Sequence, residues 1–208
     1  MTFDSEFSVF KTSNDIQRLG IRWGGIAGDG VQAMGVLFSK YLNKLGYFSF
    51  GFPGTQSTIR GGHIWYHTEF SVTDFDFYDR SCDILIAFNS QTLDIHLPDL
   101  KKKGILLINS DTDNLENHRD IIKTKEITVL TIPLNTLVKD IDPKLMVLKN
   151  TVIVGIIIEL LNLDHKPYID VLKKNFANKT NVIAENIHFQ ACKHQTRCIL
   201  CLQDLIRK

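Results

Sequence analysis

The stretch IRWGGIAGDG, residues 21–30, sets the fold because it joins an apolar start to a turn rich in glycine. Apolar residues then recur at the spacing of one helix face: Val31, Met34, Leu37, Phe38, Tyr41, Leu42 and Leu45. A strand, a glycine turn and a helix in this order are typical of the opening of an α/β domain. Gly46 is predicted to end the helix.

The next segments predict a second strand and an antiparallel excursion. Residues 47–52 are rich in aromatic side chains and predict a strand that is closed by Pro53-Gly54. From residue 63 the pattern alternates, which predicts a half-buried strand. One face carries Ile64, Tyr66, Phe70 and Val72. The other face, with His63, Trp65, His67 and Glu69, is predicted to be a solvated or subunit-facing surface. Residues 75–78 are predicted to return beside it as a short antiparallel strand.

Three short continuous apolar runs follow, at residues 84–88, 105–108 and 127–132. Such runs are typical of parallel strands buried on both faces, and residues 91–102 are predicted to form a crossover helix between the first two runs. Residues 145–163 and 167–176 predict helices, the second with proline at its start.

Together these segments predict an α/β fold with a single open, mostly parallel sheet, flanking helices, one antiparallel excursion and a helical C-terminal third. We assign residues 1–18 to a loosely ordered lead-in, residues 19–185 to one domain, and residues 186–208 to a helical or poorly ordered tail.

Composition excludes several classes of protein. The 208 residues are 44% hydrophobic and 23% charged, which is enough for a sizeable core and is unlike a disordered or collagen-like chain. The formal net charge of +1 gives no overall field that would attract nucleic acid or an anionic membrane. The N-terminus lacks a secretory signal, and the longest apolar run, residues 152–161, is too short to span a bilayer.

The four cysteines are Cys82, Cys192, Cys198 and Cys201, and three of them lie close to the C-terminus. This spacing is unlike a disulfide framework and predicts a reduced, cytoplasmic chain. The last three cysteines and His194 either gather around zinc or belong to a helical tail with incidental thiols; the irregular spacing favours the tail.

The glycine turn is a candidate anion site. Glycines between a strand and a helix let backbone N–H groups approach a phosphate or carboxylate, with the positive helix end behind them. The dinucleotide fingerprint and the Walker loop are both absent from this stretch. The alternative is that the glycines only permit a tight turn and close packing. Asp29 would repel a phosphate unless its carboxylate caps the helix.

A second candidate loop, residues 57–63, reads STIRGGH. Loops of this kind cluster at the crevice beside strand ends in open α/β sheets. Arg60 offers a planar, permanently charged fork for a carboxylate or phosphate, and Gly61-Gly62 would let a ligand or another chain approach the backbone. The alternative for Arg60 is an ion pair with a structural carboxylate. His63 and His67 are about 13 Å apart along a strand and cannot share a metal, whereas Trp65 between them is typical of an interface anchor.

With these two segments in view, the sequence resembles the γ domain or γ subunit of the 2-oxoacid:ferredoxin (2-oxoacid:acceptor) oxidoreductases. The resemblance rests on residues 21–32 with Gly35, on Gly46, on residues 57–62, on DILIAFN at residues 83–89, and on the segment from Lys149-Asn150-Thr151 to Leu163. It covers residues 19 to about 180, and the combination of glycine turn and S-x-I-R-G-G-H loop is more specific than either part.

The resemblance implies oxidative decarboxylation of a 2-oxoacid to an acyl-CoA. Thiamine diphosphate with magnesium and the iron–sulfur clusters would lie in partner α and β subunits, ferredoxin or another acceptor would take the electrons, and this chain would hold no cofactor and would be inactive alone. It also implies that the γ domain shapes the approach of substrate and coenzyme A. The residues expected near that approach are Ser57, Arg60, Gly61 and Gly62, followed by Gly28, Asp29 and Gly30.

The sequence departs from the family pattern in two places. Asp29 stands where many members have Gln, and FPGTQ at residues 52–56 replaces a lead-in that commonly ends in Glu. The segment from about residue 187 matches no pattern of the family. A separate subunit, a truncated form and a diverged interaction module without turnover therefore stay open, as does a free-standing nucleotide- or coenzyme A-binding protein.

Overall fold

A six-stranded sheet forms the centre of the molecule. The computed structural model describes residues 16–56, 62–109, 115–134 and 146–175. In chain order the strands are β1 (Arg18–Ile26), β2 (Phe48–Thr55), β3 (His63–Ser71), β4 (Cys82–Ala87), β5 (Leu100–Asn109) and β6 (Thr128–Ile132). Their order in the sheet is β2-β3-β1-β4-β5-β6. β3 is antiparallel to both neighbours and the other pairings are parallel, so the predicted mixed α/β sheet is confirmed.

Helices cover the sheet and bury two apolar clusters. The helices are α1 (Val31–Lys44), α2 (Ser90–His96), α3 (Arg119–Thr124), α4 (Met146–Leu160) and α5 (Lys166–Asn175). The larger cluster joins α1, α4 and α5 to one sheet face, and the smaller joins α2 and its surroundings to β4 and β5. Because α4 is apolar almost all round, it is a buried helix, and Val152, Ile153, Val154 and Ile157 are at most 4% exposed.

β2 extends through Pro53-Gly54, where the sequence predicts that it ends. The backbone N–H of Gln56 bonds the carbonyl of His63, and β2 pairs with β3 in unbroken register from Phe48 to Thr55. The backbone N–H and C=O groups of the even-numbered residues of β2 therefore point toward β3. The backbone of the odd-numbered Pro53 points toward the outer edge of the sheet. A proline can stand in an edge strand because its missing N–H is needed only on the side that has no neighbour.

The predicted crossover helix at residues 91–102 is too long. α2 ends at His96, a short 3₁₀ turn spans Leu97–Asp99, and β5 begins at Leu100. Pro98 in this turn has no backbone N–H to continue an α-helix, which explains the early end. The polar residues that follow Leu100 therefore belong to β5 and not to a helix.

Residues 75–78 form no strand, which corrects the predicted short antiparallel return. β3 instead finds its antiparallel partners in β1 and β2. The guanidinium of Arg18 lies over the rings of Phe75 and Phe77, with its carbon 4.7 Å and 4.6 Å from the ring centroids. These contacts hold the segment against the sheet without ladder hydrogen bonds.

The predicted solvated face of β3 is wrong. His63, His67 and Glu69 are each at most 1% exposed, and Trp65 is half-buried. The Trp65 ring packs on His63 and on His96 of α2, and the Phe52 ring lies 5.4 Å from the ring of His67. Alternation identified the face correctly, but α2 and the aromatic residues of β2 cover it.

In the described ranges, no helix combines the length and apolar character that crossing a bilayer requires. The cytoplasmic location stays a prediction.

Candidate functional site

The two candidate loops join the sheet at the same edge, which is formed by the last residues of β1 and β2 and the first residue of β3. β1 ends at Ile26, whose partner in the antiparallel ladder is His63, the first residue of β3. The Gln56 N–H bonds the His63 carbonyl, so the end of β2 is also at this edge. Gln56 and Gly62, the residues that border the second loop, therefore lie at the same end of the sheet as Ile26, from which the glycine turn starts. Ser57, Arg60 and Gly61 lie outside the described residues.

The glycines of residues 21–30 serve two different purposes. Gly28 and Gly30 have φ angles of 108° and 73°, in the region that favours glycine. A Cβ on Gly30 would also lie 2.1 Å from the amide nitrogen of Asn150 on α4. A Cβ on Gly24 would lie 2.3 Å from the Thr92 methyl of α2. Close packing therefore accounts for Gly24, whereas Gly28 and Gly30 shape the turn itself.

Asp29 does not cap α1. Its carboxylate accepts the backbone N–H of Ile26 at 2.9 Å and so closes the turn back onto the end of β1. The N-cap position of α1 is Gly30, with no side-chain cap and no acidic residue in the first helical turn. The first N–H groups of α1 thus receive no side-chain cap, and an acceptor on a ligand would be favoured there.

A groove with a volume of about 540 Å³ opens beside the glycine turn. Its described lining combines the turn with α1, α4 and α5, and its polar members are Gln32, Asn150, Thr151 and Asn175. The apolar part comes from α1 and from the buried ring of Tyr168. None of the described lining residues is charged, so the groove suits a ligand with amide or hydroxyl groups and an apolar stem.

On the other side of the same edge, α2 is fixed to the ends of β1 and β4. Asn89 caps α2 by accepting the Thr92 N–H at 2.9 Å, and the Phe88 N–H bonds the Gly24 carbonyl. The Gln91 side chain reaches Gln56 at 3.3 Å. The edge from the glycine turn to β2 is therefore held by contacts from β4 and α2.

A buried polar network lies under α2, and sequence reasoning missed it. Arg22 is 4% exposed and donates through Nε to His67 Nδ1 (3.3 Å), through Nη1 to Asp99 (3.2 Å) and through Nη2 to the Arg80 carbonyl (2.6 Å). The available signal was an arginine between Ile21 and Trp23 in a strand otherwise built for burial. A buried arginine requires acceptors around it.

Burial and the charge of Arg22 act together on the histidines of this network. Burial, then Arg22, lowers the pKa of His67 and of His96 to about 3. Burial also lowers the pKa of His63, and the backbone of Gly25 partly opposes this. These histidines are therefore neutral at pH 7, which suits their position beside a permanently charged guanidinium.

The described residues do not fit a metal centre or an iron–sulfur cluster. They contain no group of three His, Cys, Asp or Glu side chains placed to hold a metal. Cys82 is their single cysteine and is buried, and burial raises the pKa of its thiol to about 12. An iron–sulfur cluster needs several thiolates at one place. Cys192, His194, Cys198 and Cys201 lie outside the described residues.

The fold and the glycine turn define an α/β subunit, and comparison with known proteins identifies its family. The model of the family described as pyruvate ferredoxin/flavodoxin oxidoreductase matches residues 20–191 of this chain. The chain belongs to this family, as its resemblance to the γ-type subunits predicts. No curated protein matches the chain.

Solved structures share the fold. A 2-oxoglutarate:ferredoxin oxidoreductase from Magnetococcus marinus, with 2-oxoglutarate, coenzyme A and succinyl-CoA bound, has a TM-score of 0.74 and 20% identity. The match covers 90% of this chain and 31% of that chain, so this chain spans less than a third of that protein.

Two separate subunits are similar over nearly their whole length. Pyruvate oxidoreductase subunit PORC from Thermotoga maritima has a TM-score of 0.63 and 16% identity, covering 86% of this chain and 96% of that chain. The γ subunit of a keto/oxoacid ferredoxin oxidoreductase from Geobacter sulfurreducens has a TM-score of 0.62 and 19% identity, covering 87% and 98%. The chain has the fold of a γ-type subunit of these oxidoreductases.

Proposed function

We propose that this chain is a γ-type subunit of a 2-oxoacid:acceptor oxidoreductase that converts a 2-oxoacid to an acyl-CoA, and that it acts only with thiamine-binding α and β subunits. Family membership supports this proposal. The observation that carries it is the common sheet edge at which the glycine turn and both ends of the second loop lie.

In this proposal, the edge shapes the approach of substrate and coenzyme A. Gly28 and Gly30 present backbone N–H groups, Asp29 closes the turn because its N–H donates to the Ile26 carbonyl, and Ser57, Arg60, Gly61 and Gly62 add hydroxyl, guanidinium and further backbone contacts. The uncharged groove beside Gly30 favours amide-bearing parts of a guest over its phosphates, which need cations. The anionic parts are then left to Arg60 and to groups of partner subunits.

Thiamine diphosphate, magnesium and the iron–sulfur clusters are assigned in this proposal to partner subunits. Family membership supports this division. The described residues contain no group of three His, Cys, Asp or Glu side chains placed to hold a metal. When bound in the partners, those cofactors would supply decarboxylation and one-electron transfer. This chain contributes binding and orientation, and ferredoxin or a similar acceptor removes the electrons.

The test is reconstitution with α and β subunits of a related oxidoreductase, followed by 2-oxoacid-dependent reduction of a dye. We expect turnover to rise when the chain is added and to fall when it carries Gly30→Ala. Gly46→Ala is the matched control, since Gly46 also has a positive φ but lies at the opposite end of α1. Assembly without any gain in turnover would instead support an interaction module.

A binding measurement separates the proposal from a free-standing nucleotide-binding protein. Calorimetry on the chain alone with coenzyme A, ATP and NAD should give weak or no binding, because the proposed site is completed by partner subunits. Tight binding of NAD alone would contradict the proposal.

A further inference from the structure

Three histidines and one arginine form a continuous chain between β1, β3 and α2. Arg22, His63, His67 and His96 are each at most 4% exposed. Arg22 Nη1 lies 3.1 Å from His96 Nδ1, and His96 Nε2 lies 2.9 Å from His63 Nε2. Residues 74 positions apart in the sequence thus meet in a buried layer beside the candidate site.

The arginine fixes the direction of every hydrogen bond in this chain. A guanidinium can only donate, so His96 Nδ1 accepts and the proton of neutral His96 is on Nε2. His96 Nε2–H then donates to His63 Nε2, which leaves the proton of His63 on Nδ1. On the second branch, His67 Nδ1 accepts from Arg22 Nε, so the proton of His67 is on Nε2.

The assignment puts the remaining protons at the two ends of the chain. His63 Nδ1 and His67 Nε2 are buried nitrogens without a hydrogen-bond partner among the described residues. The assignment places an N–H group at each of these two nitrogens. The backbone of Gly25 favours a proton on His63 but completes no hydrogen bond of ordinary geometry with Nδ1.

An added proton has no suitable position in the His96–His63 pair. At His96 Nδ1 it would face the Arg22 guanidinium, and at His63 Nε2 it would face the His96 N–H. Other charged groups face the network from its surroundings: Asp99 in the 3₁₀ turn (4.0 Å from His96 Nδ1), Arg80 and Asp79 before β4, and Lys101 on β5. Asp99 already accepts from Arg22, so it cannot offset a second cation fully.

We propose that Arg22 and His96 are positioning residues that hold His63 in its Nδ1–H form and thereby tie α2 to the first residue of β3, where the second candidate loop joins the sheet. Protonation of the His96–His63 pair breaks this tie, so acid loosens the loop junction before it unfolds the apolar layer. The inference concerns the chain's own side chains and stands apart from the proposed oxidoreductase role.

The tautomers can be read directly by ¹⁵N NMR of the imidazole rings in the full, ¹⁵N-labelled chain at pH 7. We expect a protonated Nδ1 for His63 and a protonated Nε2 for both His96 and His67. We also expect the rings of His67 and His96 to be neutral at pH 5, where a histidine with a pKa of about 6.5 is mostly charged. An Nε2–H tautomer of His63, or a charged ring at pH 7, would overturn the proposal without any variant.

A pair of variants separates positioning from simple packing. His96→Gln supplies a carbonyl acceptor toward Arg22 and an N–H donor toward His63, so it preserves the direction of the chain and cannot itself be protonated. His96→Leu fills similar space without polar groups. We expect His63 in His96→Gln to resist protonation as in the unmodified chain, and His63 in His96→Leu to take up a proton at a higher pH.

The control is His165→Gln, because His165 pairs with Glu159 on the surface away from this network. It should leave the titration of His63 unchanged. If the Gln and Leu variants give the same His63 titration, the hydrogen-bond chain has no positioning role and the proposal fails. If His96→Leu does not fold, the wild-type tautomers and the His96→Gln titration still decide it.

Discussion

Between β1 and β3, the two faces of one sheet are stabilised by different chemistry. The face toward α1 places Trp23 and Phe70 in edge-to-face contact with Phe38, in a layer that is almost wholly apolar. The face toward α2 places Arg22 and His67 among hydrogen bonds. Neighbouring residues of the same strand, Arg22 and Trp23, thus serve two layers, and we expect the polar layer to depend on pH and the apolar layer not to.

The largest effect is expected in the apolar layer. Trp23 is fully buried, and its indole N–H donates to the Thr68 hydroxyl at 3.1 Å. Trp23→Ala should reduce the free energy of unfolding by about 3–5 kcal/mol, because a large cavity and an unpaired hydroxyl remain. Urea unfolding at pH 7 measures the loss, and a loss below about 1 kcal/mol would contradict the described packing.

Acid should act on the polar layer. The pKa of His67 and of His96 is about 3 in the folded chain, below the ordinary value of about 6.5. Between these two pKa values the unfolded state binds more protons than the folded state. The contribution of the two neutral histidines to stability is therefore retained above pH 6.5 and falls as the pH decreases toward 3. At pH 5 the loss should be about 2 kcal/mol for each histidine.

Urea unfolding at pH 7 and pH 5 gives this difference, and His96→Gln is its control. The Gln variant should lose less stability on acidification than the unmodified chain, by the share of one histidine, about 2 kcal/mol. An equal stability of the unmodified chain at both values would mean that the histidines are already charged or exposed.

A smaller effect is expected at the glycine turn. Gly30→Ala should cost about 1–2 kcal/mol from its positive φ, and more from the contact with Asn150. Gly46→Ala has the same kind of strain with open space around its Cβ. A greater loss for Gly30→Ala than for Gly46→Ala, measured by thermal unfolding, would sharpen the comparison; equal losses would show that Asn150 moves aside.

The smallest effect is expected at the outer end of the polar face. Phe50 is 47% exposed on the edge strand β2, with its ring 5.9 Å from that of Phe52. Phe50→Ser should lower the free energy of unfolding by about 1 kcal/mol, since only part of the ring is buried. A loss as large as that of Trp23→Ala in urea unfolding would mean that this ring is covered in solution.

Sequence patterns predict the apolar layer well because local periodicity determines it. The apolar spacing in residues 31–45 gives α1, and the run at residues 84–88 gives β4. Pro98 shows the limit of this reasoning, since it ends α2 within a stretch that otherwise reads as helical. The polar layer was not predictable from spacing, because Arg22 and His96 meet only after the strand order is fixed.

The candidate site shows the same division. The glycine turn is visible in the sequence, and the pairing of Ile26 with His63 is a consequence of where β3 inserts. Asp29 is a further example, because a carboxylate beside a helix start predicts a cap, whereas its actual partner is the Ile26 N–H three residues earlier. The roles of Ser57, Arg60, Gly61 and Gly62 stay predictions.

The most direct measurement is amide hydrogen exchange of the reconstituted oxidoreductase with and without coenzyme A. If the sheet edge shapes the approach of coenzyme A, the amides of Gly28, Gly30 and Gly62 should exchange more slowly when coenzyme A is added, and the amide of Gly46 should not change. Unchanged exchange at all three edge glycines, in a complex that turns over, would contradict the assignment of this edge as the functional site.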